Sequence, residues 1–459
     1  MENKDYDTLK EELLEMLDAK NMKLFKETLE DMNEFDVAKF ISELPQRKIA
    51  MVFRLLSKSQ SADVFANLEV EEQSYIIECI TDAELGDIIE ELYLDDAVDL
   101  LEELPANVVK RVMRTATSQT RNLINQYLKY PDNSAGSIMT AEYVDLKRYM
   151  NVREAFARIR RIGEDKETIY TCFVISSDQK LEGVVTVKDL LLSEEEAIIG
   201  DIMDANVIFA KTTDDREDVS LMFSDYDLLT IPVVDLEGRL VGIVTVDDVL
   251  DVIQQETTED IEKMAAILPS DKPYIKLSVF DIFKNRMPWL LLLMISATFT
   301  GAILTSFEDK LAAQAVLIAF IPMLMDTGGN SGSQSAVTVI RALSLGDIKF
   351  SDFFTVLWKE LRVSVLCGLT LATANFVKIL LIDRLIMGNS MITLGVAAIV
   401  CLTLALTVIC AKVVGCALPM LADKLGFDPA VMASPLITTV VDALSLLVYF
   451  AIASSILNL

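Results

Sequence analysis

Pro322-Met323-Leu324-Met325-Asp326-Thr327-Gly328-Gly329-Asn330-Ser331-Gly332-Ser333-Gln334 interrupts a long apolar stretch of this chain. In hydrocarbon every polar group and every loosened backbone amide must find a partner within the protein or in a wet cavity. Three glycines, an aspartate, an asparagine and a glutamine therefore place this segment where helices pack closely around water, not against lipid. The glycines permit close backbone approach, and Asn330, Ser331, Ser333 and Gln334 add oxygens without charge. A second carboxylate, Asp442, stands in Thr438-Thr439-Val440-Val441-Asp442-Ala443-Leu444-Ser445, where positions 438, 442 and 445 share one helix face. A carboxylate at bilayer depth costs on the order of 2.5–3.5 kcal/mol, and basic partners within the apolar stretches are few, Lys378 and Lys412. The two carboxylates mark a cation route.

Five apolar stretches, at about 287–306, 311–345, 362–382, 391–421 and 430–457, are each long enough to cross a core that needs ~20 residues. Arg341, Lys349, Lys359 and Arg362 flank the second loop, and Lys412 and Lys424 the fourth. The first and third loops carry only Lys310 and Arg384, with Lys378 just inside. The positive-inside rule puts the even loops in the cytosol. An odd number of spans then places the N-terminus in the cytosol and Leu459 outside, consistent with a polar N-terminus that lacks a signal peptide.

The charge is unevenly distributed. Net charge is −29, yet 287–459 holds 10 acidic and 9 basic residues, leaving about −28 in the first 286. An acidic soluble half excludes nucleic acid as a partner and favours cations. The chain has no histidine, which removes imidazole bases, ligands and pH switches. Its six cysteines, Cys79, Cys172, Cys367, Cys401, Cys410 and Cys416, show no CxxC spacing, so a bound metal is hard and oxygen-ligated. There is no Walker motif to drive pumping and no catalytic constellation, so the chain reads as a non-enzyme.

Residues 1–130 carry apolar positions at helical spacing in a loose repeat. Val37 to Pro45 (VAKFISELP) resembles Ala97 to Pro105 (AVDLLEELP), which predicts a small superhelical stack. Residues 131–256 hold two copies of another unit. Gly183-Val184-Val185-Thr186-Val187-Lys188-Asp189 recurs as Gly242-Ile243-Val244-Thr245-Val246-Asp247-Asp248, each after a β-rich run. This tandem signature closely resembles a pair of CBS domains, α/β regulatory modules that often dimerise and sense adenine nucleotides. The resemblance implies that Tyr170, Lys188 and Asp189 contact a nucleotide such as ATP acting as a regulator. An acid-rich helical segment, 247–280, then leads through Pro269 and Pro273 to Lys276, Lys284, Arg286 and Trp289 at the membrane interface. The membrane part, 281–459, reads as an all-α bundle of five helices.

The whole chain, in this order of parts, resembles the MgtE family of magnesium channels and transporters. Most specific are Pro322-x-x-x-Asp326-x-x-Gly329-Asn330-x-Gly332-x-Gln334 and Asp428-Pro429-Ala430 leading to Asp442. Ser333, where some members have Asn, and Asp326, where some have Gly, bear on fine selectivity and rate. The resemblance implies a homodimer in the cell membrane with a pore between protomers. Its ion pathway would comprise Asp442, Asp326, Gly328, Gly329, Asn330, Gly332, Gln334, Thr438 and Thr439. It further implies regulatory Mg²⁺ at Asp63, Asp95, Asp99, Asp215, Glu217, Asp227, Asp248, Asp251, Glu256, Glu259 and Asp260. Divalent ions would draw these repelling acidic surfaces together and shut the pore through the connecting helix. Two other readings are a broader Mn²⁺ or Co²⁺ path and a membrane-tethered nucleotide sensor whose spans only anchor it.

Overall fold

The computed structural model describes residues 6–270, 274–307, 315–388, 391–432 and 434–457. Pro273, Lys310 and Leu459 lie outside the described residues. The chain divides into two units, Met1–Val252 and Ile253–Leu459.

The first unit begins with ten short helices: α1 (Tyr6–Asp18), α2 (Met22–Glu30), α3 (Glu34–Ser42), α4 (Gln46–Phe53), α5 (Lys58–Ala66), α6 (Val70–Cys79), α7 (Asp82–Glu91), α8 (Leu94–Glu103), α9 (Ala106–Thr115) and α10 (Ser118–Tyr127). Local chemistry sets their boundaries. Asn33, Ser57, Thr81 and Thr117 cap α3, α5, α7 and α10 with side-chain oxygens, and Pro45 and Pro105 precede α4 and α9. Helices too short to be stable alone gain stability by packing. Here α3 packs on α5, α5 on α7, α7 on α9, α4 on α6 and α8 on α10, the pattern of a superhelical stack. Phe25, Phe40, Phe65, Ile76 and Leu85 fill its core.

Two three-stranded sheets follow. In the first, β1 (Asp145–Leu146) runs parallel to β2 (Thr171–Ile175), which pairs antiparallel with β3 (Leu181–Thr186). In the second, β4 (Ala210–Lys211), β5 (Thr230–Val234) and β6 (Leu240–Thr245) repeat the arrangement. Even the registers correspond: Thr171 faces Thr186, Thr230 faces Thr245, and each hairpin shifts register near its turn. Helices α11 (Val152–Ile162), α12 (Val187–Leu192), α13 (Ile199–Ile202) and α14 (Arg216–Tyr226) surround the sheets, and α15 (Val246–Met264) continues from β6. Strands β1 and β4, at two residues each, are too short for any periodicity to reveal.

The two copies exchange their leading segments. Thr140 and Ile243 trade backbone hydrogen bonds at 2.8 and 2.9 Å, and Asp204 and Val184 do the same at 2.8 and 2.9 Å. That crossing explains the signature glycine. A Cβ on Gly242 would lie 2.7 Å from the Thr140 carbonyl oxygen, and one on Gly183 would lie 2.6 Å from Met203 Sδ. We expect Gly242→Ala to cost roughly 1–3 kcal/mol by overpacking, read as a lower Tm of the soluble half. An unchanged Tm would mean that the crossing is not tight.

The second unit is helical. Its helices are α16 (Val279–Ser306), α17 (Ile321–Ser344), α18 (Phe353–Lys378), α19 (Leu394–Lys424) and α20 (Ser434–Leu457). Among the described residues four segments, Val279–Ser306, Phe350–Ile386, Leu394–Lys424 and Pro429–Ile456, are long and apolar enough to cross a membrane. The 24 residues of α17 span about 36 Å, but its polar motif keeps it outside that set. The helices also differ from the apolar stretches in extent. Ser278 caps α16 well before the first stretch begins near Met287, so Pro288 and Trp289 lie inside the helix. The second stretch turns as a 3₁₀ segment, Ala315–Phe320, before α17 starts. Helix α19 lies centrally, packed on α17, α18 and α20.

Candidate functional site

Helix α17 has two chemically distinct faces. Gly328, Gly329, Ser331, Gly332, Ser335, Ala336 and Val339 are buried. A Cβ on Gly328 would meet Thr407, Val441 and Ser445 at 3.0 Å or less, and one on Gly329 would meet the Thr438 methyl at 2.8 Å. Gly415 of α19 faces the Gly332 carbonyl so closely that a Cβ there would collide. These glycines bring α17 against α19 and α20 at backbone distance. The other face presents Asp326, Asn330, Gln334, Val337 and Thr338, all exposed, with Ser333 beside them. Asn330, Ser333, Gln334, Val337 and Thr338 line one open groove.

Asp442 adjoins Thr438, Val441 and Ser445, the residues of α20 that meet the glycines, and is partly buried. The charges of Asp326 and Asp442 interact. Among the described residues no hydrogen bond or ion pair is shown for the Asp442 carboxylate. The two basic candidates are engaged elsewhere: Lys378 donates to Asp383 at 2.9 Å and Lys412 to Ser335 at 3.3 Å. Thr439, next to Thr438 on the same helix, is partly buried. Its hydroxyl donates to the Pro435 carbonyl at 3.0 Å, a bond back along its own helix. Of the sequence-selected set, the fold thus gathers Asp326, Gly328, Gly329, Thr438 and Asp442, and turns Asn330 and Gln334 to the groove.

In the soluble half, carboxylates from distant parts of the sequence converge. Asp95 and Asp96 on α8, Glu167 before β2 and Asp248 at the start of α15 feel one another's charge. Burial, then repulsion from Asp248 and its neighbours, pushes Asp96 up to about 6 and Glu167 up to about 8. Burial also lifts Asp248 to about 6, although Thr245 Oγ1 donates to it at 2.5 Å. Asp95 rises well above the usual carboxylate range, mainly through burial. Asp99 stands at the solvent edge, raised to about 7 by the surrounding protein and by Glu102 and Asp96. Asp63, also exposed, adds its charge to Asp96. Among the described residues, Asp95 Oδ1 and Glu167 Oε2 are buried with no hydrogen-bond partner. Hard, desolvated oxygens without counter-charge suit Mg²⁺, which retains waters and needs few direct carboxylates. Among the described residues no three ligands converge into a finished metal cage.

Sequence reading missed Asp96 and Glu167. Asp96 was legible as the neighbour of Asp95, but nothing local marks Glu167, which tertiary packing delivers. Other expected sensors are dispersed. Asp215 caps the start of α14, accepting from Glu217 N at 2.8 Å, whereas Asp227 ends it in a left-handed conformation with φ 51°. About 18 Å of helix separates Asp215 from Asp227, so one chain does not join them. Asp251 is exposed on α15 and Glu256 partly so. Further along α15, Lys263 bonds Glu259 and reaches Asp428 at 2.6 Å, and Ser344 donates to Asp260 at 2.9 Å. Met264 packs beside Ala336, Ile340, Ala411 and Val441. The end of the connecting helix is therefore fastened to the helical bundle.

Asp189 and Asp248 occupy the same position in the two repeats, each bonded to the threonine three residues earlier. Neighbours separate their roles. Asp248 is partly buried among acids, whereas Tyr170, Lys188 and Asp189 form an exposed ledge.

A family model described as a divalent cation transporter matches residues 321–452; the MgtE intracellular N domain matches 32–133, and the CBS domain matches 135–195 and 199–255. A relative from Thermus thermophilus, named magnesium transporter MgtE, is 36% identical over 450 residues, covering 97% of this chain and 98% of its own length. This chain belongs to the MgtE family. A second MgtE, from Bacillus subtilis, is 31% identical over 462 residues, covering 100% of this chain and 99% of its own. Among solved structures, the soluble part of a magnesium transporter matches with TM-score 0.53 and 31% identity, over 55% of this chain and 99% of that one. The cytosolic domain of the Mg²⁺ channel MgtE in complex with ATP matches with TM-score 0.50 and 36% identity, over 52% and 98%. The N domain and CBS pair of this chain thus share the MgtE cytosolic fold, and as a member of a transporter family the chain is not an enzyme.

Proposed function

We propose that this MgtE chain is a Mg²⁺-selective channel of the cell membrane, closed by cytosolic Mg²⁺. The observation that carries this reading is Asp442: a partly buried carboxylate on an apolar helix, within reach of the charge of Asp326, whose helix neighbours Thr438, Val441 and Ser445 pack on the glycines of α17. Helix α17, second of the bundle in chain order, completes a set of five spans in this reading, and the N-terminus faces the cytosol with the C-terminus outside. A groove of amide and hydroxyl groups at Asn330, Ser333 and Gln334 is unfit for lipid. It supports a homodimer whose protomers enclose water at that face. Oxygen ligands throughout, and no histidine in the chain, fit the hard ions Mg²⁺ and Mn²⁺ better than Co²⁺; the choice of Mg²⁺ follows the relatives named magnesium transporters. ATP is assigned a regulatory place on the ledge of Tyr170, Lys188 and Asp189, in line with the ATP complex of the related cytosolic domain.

Closure is attributed to the acids of the soluble half and to the fastened end of α15. Mg²⁺ would relieve the repulsion among Asp95, Asp96, Glu167 and Asp248 and so favour the compact arrangement. Burial works against the Lys263 ammonium, but Asp428 and Glu259 outweigh it and hold its pKa above the usual lysine value. The experiment is patch recording with graded cytosolic Mg²⁺. Glu256→Gln, Glu259→Gln and Asp260→Asn together should leave current flowing at Mg²⁺ concentrations that silence the wild type. Unchanged inhibition would overturn the gating assignment. Equal Mn²⁺ and Mg²⁺ currents would overturn the selectivity.

A further inference from the structure

Lys412 of α19, Ser335 of α17 and Glu360 of α18 meet inside the helical bundle. The Lys412 ammonium, 5% exposed, donates to Ser335 Oγ at 3.3 Å, and Ser335, 2% exposed, donates to Glu360 Oε2 at 2.7 Å. A lysine among lipid-embedded helices is retained where an anion balances it. Here the balance reaches it through one hydroxyl that accepts from the ammonium and donates to the carboxylate. A serine hydroxyl can do both at once, and an alanine can do neither. The route assigned above uses none of these three groups.

We infer that Lys412, Ser335 and Glu360 form a rotational clamp that positions α17, turning its polar stripe toward the ion route. The inference rests on the proposed route. Helical geometry carries it: at about 100° per residue, Asp326 lies on the side of α17 opposite Ser335. Holding Ser335 inward therefore holds Asp326 outward, with Asn330 and Gln334 on the same exposed side. The Gly332–Gly415 crossing fixes how closely α17 approaches α19, but two apposed glycines have no side chains to resist rotation. The hydrogen-bonded chain, one turn away on both helices, adds a directional constraint to the apolar packing of Ala336, Val339 and Ile340. Lys412, Ser335 and Glu360 are thus positioning residues. The buried ammonium is not itself part of the groove, whose lining is Asn330, Ser333, Gln334, Val337 and Thr338.

The test is Mg²⁺ flux through the full-length protein in vesicles, measured against Mg²⁺ concentration and in competition with Mn²⁺. Lys412→Met should raise the half-saturating Mg²⁺ about tenfold, equivalent to ~1.4 kcal/mol, and narrow the preference over Mn²⁺. Glu360→Gln and Ser335→Ala should do the same, and Lys412→Arg should restore most of the affinity. The double variant Lys412→Met/Glu360→Gln should lose no more than either single one, because both break one chain. A role limited to stability would lower Tm and yield while leaving half-saturation and ion preference unchanged, and that result overturns the clamp. Additive losses in the double variant also overturn it. Should Lys412→Met fail to assemble, Ser335→Ala and Glu360→Gln decide by the same readouts. Asp442→Ala runs alongside: intact flux there defeats the ion route, whereas lost flux there with unaltered half-saturation in the clamp variants defeats the clamp alone.

Discussion

Asp442→Ala should reduce Mg²⁺ flux in reconstituted vesicles by about 100-fold or more while leaving assembly intact. The magnitude follows from charge. A divalent ion about 4 Å from one carboxylate gains about 8 kcal/mol at an effective dielectric of ~20. If a third of that survives the cost of desolvation, the loss is about 100-fold. Asp442→Asn keeps the size and the polar atoms but removes the charge, so it should fall nearly as far. The prediction rests on a carboxylate that neither Lys378 nor Lys412 neutralises, since Lys378 holds Asp383 and Lys412 holds Ser335. Flux in Asp442→Ala within a factor of two of wild type would remove this residue from the ion route.

The second large effect concerns pH and Mg²⁺ acting on the acidic cluster. Asp96 and Asp248 are raised to about 6 and Glu167 to about 8, chiefly by burial. A carboxyl whose pKa is higher in the folded than in the unfolded chain binds more protons when folded. Its contribution is fully present below the unfolded value near pH 4 and is lost as pH rises through the folded value. Without divalent ions, the soluble half should therefore lose stability between pH 5 and pH 8. At ~1.4 kcal/mol per pH unit of displacement for each group, and after allowance for mutual coupling, the cluster accounts for about 3 kcal/mol. That corresponds to about 10 °C in Tm. Mg²⁺ should restore the loss at pH 8 and change little at pH 5, where protons already neutralise the acids. Asp248→Asn should flatten both dependences. A Tm that rises from pH 5 to pH 8 in chelator would contradict the cluster's electrostatics.

Much of the fold was legible because its signals are local. The repeat of VAKFISELP and AVDLLEELP marked stacked helices, and Gly-x-x-Thr-Val-x-Asp, written twice, marked two equivalent α/β units. The structure supplies the reason for that glycine, since the leading segment of the other copy crosses it at Thr140 or Met203. Asp442 and the glycine motif also stood out, because polar groups in apolar stretches are conspicuous without any coordinates. The direction of the Thr439 hydroxyl was not legible, because helical spacing gives a face but not a rotamer; its proton goes to the Pro435 carbonyl. Glu167 could not be singled out, because its chemistry comes from Asp248 and Asp96 packed near it and not from its sequence neighbours.

The sequence by itself determined the separation of an acidic soluble half from an apolar one, the order of the parts, the absence of imidazole chemistry and the oxygen character of any cation ligand. These follow from composition and from periodicities of two and 3.6, which each short stretch carries on its own. Tertiary structure alone decided which acids share a desolvated cluster, which face of α17 is glycine-packed and which is polar, and that Lys412 answers to Glu360 through Ser335 and not to Asp442. Those outcomes depend on how far apart residues distant in the chain come to rest. Both electrostatic repulsion and hydrogen bonding are set by such distances, and no stretch of sequence records them.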